Sequence, residues 1–214
     1  MEDTVIRTHD TVFKYIFGRP ESKDALLGFV NAVVCSGEDK EKICDLELVY
    51  RKPEFHMIDY RISRVCLRAV TSSGKAVDIE ILNFVHPESK INYFYYFSDS
   101  YHSQIEENET EQESVPLYVI NIVHFDLCDW SSKYIHKTHI YEDTGEPDAG
   151  QMTIFFLVLP KWVALKRKAQ TELERWLAFL SQGDSAEIEE YAMLDPSLGK
   201  ALEAEKQLLL TQMK

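Results

Sequence analysis

Two carboxylates stand two residues apart in the segment AVDIEIL, residues 76–82: Asp78 and Glu80. Side chains two apart on a β-strand point to the same face of a sheet. A carboxylate pair on one face can hold Mg²⁺, which prefers oxygen ligands and keeps several waters. A plainer interpretation is that the two carboxylates form exposed ion pairs with arginines of a neighbouring strand. The spacing alone leaves both interpretations open.

The elements that must position this pair form a β-hairpin. The segment RISRVCLRAVTSSGKAVDIEIL, residues 61–82, contains two strand-forming runs around a short turn that ends at Gly74. A three-residue hairpin loop favours glycine in the left-handed conformation at that place. Counting back from the turn predicts three facing pairs on one side of the hairpin: Arg68 with Asp78, Cys66 with Glu80, and Arg64 with Leu82. The other side is wholly apolar, so we expect it to face the core. In the plainer interpretation, Arg68 pairs with Asp78 and Arg64 with Glu80 in a solvated ladder.

Composition limits the kinds of protein that the chain can be. Its 214 residues are 45% hydrophobic and 28% charged, and the apolar runs are too short to span a bilayer. Four cysteines without a CxxC pair, and an N-terminus without a secretory signal, predict reduced thiols in a cytoplasmic protein. A net charge of −13 counts against strong nonspecific DNA binding, but not against an enzyme with few phosphate contacts.

The rest of the chain predicts an α/β fold. Two short helices precede a strand at 44–51 and the hairpin. An aromatic-rich helix follows at 89–107, then strands at 115–125 and 151–159. Helices are expected over about 161–181, 184–194 and 196–213. This order predicts a mixed sheet flanked by helices. The aromatic helix and the several apolar faces lead us to expect a homodimer.

Two stretches resemble a known nuclease family. The segment HDTVFKYIFGRPESKDALLGFVNAVV, residues 9–34, resembles its Asp-x-x-Phe-Lys-x-x-Phe-Gly helix and the following helix that ends in Asn. The matching residues are Asp10, Phe13, Lys14, Phe17, Gly18 and Asn31. The hairpin resembles the family's Leu-Asp-Val…Gly…Ile-Glu-Met-Gln segment. In order and spacing, the chain is similar to the recombination-promoting nucleases and transposases of the PD-(D/E)XK nuclease superfamily.

This resemblance implies a restriction-endonuclease-like core over residues 8–160 and a helical C-terminal extension over residues 161–214. It also implies cleavage of DNA that depends on Mg²⁺ or Mn²⁺, in a bacterial cytoplasm. Glu80 matches the family's glutamate. The family's aspartate position falls on Cys66, however, and its water-orienting glutamine position falls on Leu82. A thiol is a poor ligand for hard Mg²⁺, and leucine cannot orient a water molecule.

Two hypotheses follow from the resemblance. In the first, the chain is a catalytically impaired nuclease that binds DNA or a partner, with Arg64 and Arg68 neutralising the carboxylates. In the alternative, it is an active Mg²⁺-dependent endonuclease whose rebuilt site uses Glu80 and Asp78. Asp10 would then be a further metal ligand, and Lys90 would supply a cation.

Overall fold

A mixed β-sheet forms the centre of the structure, a computed structural model that describes residues 6–36, 42–49, 64–72, 74–82, 117–126, 131–139 and 152–212. The strands are β1 (Leu46–Val49), β2 (Arg64–Thr71), β3 (Ala76–Leu82), β4 (Leu117–Val123), β5 (Ile135–His139) and β6 (Met152–Val158). Their spatial order is β1-β2-β3-β4-β6-β5. The three central strands β3, β4 and β6 are parallel, and the strands at both edges add antiparallel pairs. The predicted mixed α/β layout is confirmed.

Helices pack on the sheet face that the sequence marked as apolar. The helices are α1 (Asp10–Phe17), α2 (Lys23–Val34), α3 (Leu159–Ala164), α4 (Glu172–Leu180), α5 (Ser185–Leu194) and α6 (Pro196–Gln212). Trp176 of α4 is fully buried, and its ring lies 5.9 Å from that of Phe17 and 5.7 Å from that of Phe29. None of the helices among the described residues is long and apolar enough to cross a membrane.

The C-terminal helices share one hydrophobic cluster with the sheet. Residues of α4, α5 and α6 belong to the same buried cluster as Ile79 of β3 and Ile120 of β4. The division into residues 8–160 and 161–214 stays a prediction. The single helix expected over 161–181 is wrong, because residues 165–171 are not helical and separate α3 from α4. Thr171 starts α4 with a capping box, in which its side chain accepts a hydrogen bond from the Glu174 amide.

Two residues of the N-terminal motif hold the helices against the sheet. A Cβ at Gly18 would lie 2.8 Å from the Lys14 carbonyl oxygen and 3.1 Å from Cδ2 of Leu67, so only glycine lets the end of α1 approach β2 this closely. Asn31 of α2 binds both backbone groups of Ile43, donating to its carbonyl oxygen at 2.9 Å and accepting from its amide at 2.8 Å. These contacts fix α1 and α2 beside the strands that carry the candidate site.

Candidate functional site

The hairpin has the geometry that the sequence predicts. Gly74 has φ +80°, in the left-handed region, and the chain closes there through a hydrogen bond from the Thr71 amide to the Lys75 carbonyl oxygen at 2.8 Å. Beyond this turn, Arg68 pairs with Asp78, Cys66 with Glu80, and Arg64 with Leu82. All three predicted pairs are confirmed, so the family's three motif positions lie on neighbouring places of the β2–β3 ladder.

Arg68 and Asp78 form a buried, bidentate ion pair. Nε of Arg68 donates to Oδ1 of Asp78 at 2.6 Å, and Nη2 donates to Oδ2 at 2.6 Å. Each side chain is 7% exposed. Hydrogen bonds between charged partners in this fork geometry are among the strongest in proteins. The pairing is therefore as expected, but the expected solvated setting is wrong, because this part of the ladder is buried.

Glu80 has a polar neighbour that the sequence analysis missed. In the parallel pairing of β3 with β4, Glu80 stands beside Asn121, and the two residues are 6% and 5% exposed. The Asn121 amide donates to the Phe155 carbonyl oxygen at 3.4 Å, which is a long hydrogen bond. The readable signal was a single asparagine inside the apolar run VPLYVINIVHF, because an isolated polar residue in a central strand must find partners.

Asp10 lies on a different side of the sheet from the two carboxylates of β3. Helix α1 packs through Phe13 and Ile16 into the cluster that also contains Ile79, whereas Asp78 and Glu80 alternate with Ile79 and point the other way. Asp10 is partly exposed and forms an ion pair with Lys14 one helical turn later, at 2.8 Å. The other residue of the rebuilt-site hypothesis, Lys90, lies outside the described residues.

A second polar cluster lies where β4 ends. The buried ammonium of Lys161, at the start of α3, forms an ion pair with Asp126 at 2.9 Å and donates to the Ser131 carbonyl oxygen. Nε2 of His136, in β5, lies 3.0 Å from the Lys133 carbonyl oxygen. Burial lowers the pKa of His136 and also that of His124, so both rings favour the neutral form at neutral pH. Lys161 thus binds groups of its own chain.

The described residues do not form the ligand set of a divalent metal. Both oxygens of Asp78 accept hydrogen bonds from Arg68, so a divalent cation would compete with that guanidinium for the carboxylate. The residue types at the two other motif positions, Cys66 and Leu82, bring a soft thiol and an aliphatic group, neither of which suits Mg²⁺. Within the described ranges, no group of three or more His, Cys, Asp or Glu residues could hold a metal ion.

Comparison with known proteins gives one result that covers most of the chain. No curated protein and no solved structure matches it. The family model of the PD-(D/E)XK nuclease family transposases matches residues 7–214, which include both helices of the N-terminal motif, the whole sheet and the C-terminal helices. The match agrees with the mixed sheet and its flanking helices, and the chain therefore belongs to the PD-(D/E)XK nuclease family transposases.

Proposed function

We propose that this chain is a catalytically impaired member of its family, which acts by binding DNA or a partner instead of cutting DNA. One observation carries the proposal: Arg68 binds both oxygens of Asp78, beside the family's glutamate position at Glu80. In metal-dependent cleavage, the cation activates a water molecule and stabilises charge on the phosphate. With Cys66 and Leu82 at the other positions, we expect a loss of roughly 10³-fold or more in rate.

Charge limits how this chain can contact DNA. The net charge is −13, so contacts with phosphate must come from local groups of basic residues. Three of the cations in the described part of the chain are bound to carboxylates: Arg68 to Asp78, Lys161 to Asp126, and Arg167 to Glu174. This pattern does not favour tight nonspecific binding to DNA. It fits better with weak or selective DNA binding, or with binding to a protein partner such as a second copy of this chain.

The alternative proposal is an active endonuclease that uses Mg²⁺ or Mn²⁺, with Glu80 and Asp78 as ligands and Asp10 as a further one. One observation favours it: Asp78 and Glu80 are both buried, 5% and 6% exposed, on one face of one strand. Buried carboxylates that are neighbours are common where enzymes place their chemistry. This alternative requires Arg68 to release Asp78, and Asp10 to approach from the other side of the sheet.

A cleavage assay separates the two proposals. The purified full chain is incubated with supercoiled plasmid and with single-stranded DNA, with Mg²⁺ or with Mn²⁺, beside E80A purified in the same way. We expect the wild type and E80A to leave the DNA equally intact. Nicking by the wild type that E80A abolishes would overturn the impaired-nuclease proposal. Nicking that persists in E80A would identify a contaminating nuclease.

Binding is tested separately. Fluorescence anisotropy with labelled duplex and single-stranded DNA, at several salt concentrations, measures the affinity and the number of phosphate contacts. Light scattering on the eluting protein measures whether the chain is a homodimer. DNA binding or self-association in the absence of cleavage is the expected result. If the chain is a monomer and binds no DNA at low salt, both DNA and a second copy of this chain are excluded as partners, and the partner must be a different protein.

A further inference from the structure

Two buried carboxylates on one strand need positive charge nearby. Asp78 and Glu80 are two residues apart on β3, with Cα atoms about 6.7 Å apart, and both are almost fully buried. A carboxylate that leaves water without a cation or enough hydrogen-bond donors costs several kcal/mol in effective terms. A nuclease meets this need with a divalent metal ion. In this chain, a side-chain cation meets the need of Asp78.

The cation beside Asp78 is a side chain of the protein itself, Arg68. The Arg68 guanidinium reaches across from β2 and covers both oxygens of Asp78, at 2.6 Å each. The β2–β3 register fixes Arg68 directly opposite Asp78, so the guanidinium cannot leave without breaking a buried pair. The guanidinium gives Asp78 positive charge, as a metal would, but it has no open coordination position for water.

We propose that Arg68 takes the place of a divalent metal as the cation bound by Asp78, beside Glu80 on the same strand. The wild-type chain is therefore kept free of metal at this place, and removal of the guanidinium converts the two carboxylates into a site for a divalent cation. This inference deepens the proposed function and rests on it, because it names the group that blocks the metal.

The test removes the guanidinium and adds metal. R68M keeps an unbranched side chain of comparable length without the charge. Calorimetry measures the binding of Mn²⁺ to the wild type and to R68M. The melting temperature of each protein is also measured with and without about 1 mM Mn²⁺, a concentration that suits weak sites. We expect no shift in the wild type. We expect R68M to melt at a lower temperature, to regain part of the loss with Mn²⁺, and to bind Mn²⁺ at least about tenfold more tightly than the wild type.

Matched variants identify the ligands. R68M/D78N and R68M/E80Q each lack one of the two carboxylates, and we expect both to lose the response to Mn²⁺. R167M is the control for the removal of any paired arginine, because Arg167 also forks onto a buried carboxylate, Glu174. Glu172 lies two residues from Glu174, but residues two apart on a helix do not face the same side, unlike the pair on β3. We therefore expect R167M to lose stability without a response to Mn²⁺.

Each outcome supports or overturns the inference. If R68M folds and Mn²⁺ neither binds it nor raises its melting temperature, the inference is wrong. Should R68M fail to fold alone, refolding is followed by tryptophan fluorescence, and recovery with Mn²⁺ supports the inference while continued failure overturns it. Binding of Mn²⁺ to the wild type that D78N abolishes also overturns it. This experiment does not measure DNA cleavage. If the inference fails, the impaired-nuclease proposal is still tested separately by the cleavage assay.

Discussion

Replacement of Glu174 by glutamine should destabilise the protein and make its stability less dependent on pH in the acid range. Glu174 is 2% exposed at the start of α4. Its carboxylate accepts hydrogen bonds from the Tyr134 hydroxyl at 2.7 Å, from two nitrogens of Arg167 at 2.5 and 3.0 Å, and from the Gln170 amide at 2.7 Å. Glutamine keeps the shape of the side chain, but it loses the negative charge that all these donors share.

The size of the effect follows from the pKa of Glu174. Burial alone would raise this pKa, but the hydrogen bonds from Arg167, Tyr134 and the Gln170 amide outweigh burial and lower it from 4.5 to about 2. Such a shift corresponds to about 3 kcal/mol at most. The Arg167 side chain is 35% exposed, and solvent screens its part of the interaction, so we expect about 2 kcal/mol.

The sign of the pH dependence is fixed by the direction of this shift. A lowered pKa in the folded state gives stability that is present above 4.5 and lost as the pH falls towards about 2. At the basic end, burial and then the hydrogen bond to Glu174 raise the pKa of Tyr134 from 10 to about 12. That contribution is present below pH 10 and lost as the pH rises through about 12. The two shifts share the Tyr134–Glu174 hydrogen bond, so the two contributions do not simply add.

Thermal and urea unfolding of the wild type and E174Q between pH 7 and pH 3 measure the effect. At pH 7 we expect E174Q to melt about 4–8 °C lower, given the size of the chain, and the gap to narrow as the pH falls below 4.5. E172Q is the control, because Glu172 stands in the same first turn but is exposed and lies 3.5 Å from Lys42. An E174Q protein that melts with the wild type at pH 7, or a gap that stays constant down to pH 3, would refute the reasoning.

Two further substitutions test how the helices are held. G28A should lower the free energy of unfolding, measured in urea, by about 1–3 kcal/mol. The reason is that a Cβ on Gly28 would overlap Oγ of Ser197 where α2 meets α6, so S197G in the same chain should restore part of the loss. N31A should cost about 1–3 kcal/mol, because it leaves the Ile43 amide and carbonyl without their partners, whereas N31D keeps the acceptor and should lie in between.

The hairpin was predictable because its rules are local. A period of two sets which residues share a face, and the glycine at position 74 sets where the chain reverses. These two facts gave the pairing of Arg68 with Asp78 and of Cys66 with Glu80. Burial of the pair was not predictable in the same way, because it depends on what covers that face of the sheet.

Contacts between distant segments were beyond reach of the sequence. The neighbour of Glu80 on β4 is Asn121, and the parallel crossover between them carries no local signal for its register. The break between α3 and α4 is a different case. Thr171 and Glu174 have the spacing of a capping box, which marks a helix start, but the basic residues before them continued the apparent helical pattern.

In our proposal, the ion pair with Arg68 and a metal ion compete for the same two oxygens of Asp78. A divalent cation at Asp78 would compete with Arg68 for a carboxylate whose two oxygens already accept hydrogen bonds from the guanidinium. Breaking a buried pair by removal of one partner commonly costs about 3–5 kcal/mol, a large part of the 5–15 kcal/mol that holds a typical domain folded. The free energy of metal binding would have to offset that loss of stability. In the impaired-nuclease proposal, the thiol and the leucine at the neighbouring motif positions offer no hard oxygen ligand whose binding to a metal would offset that loss.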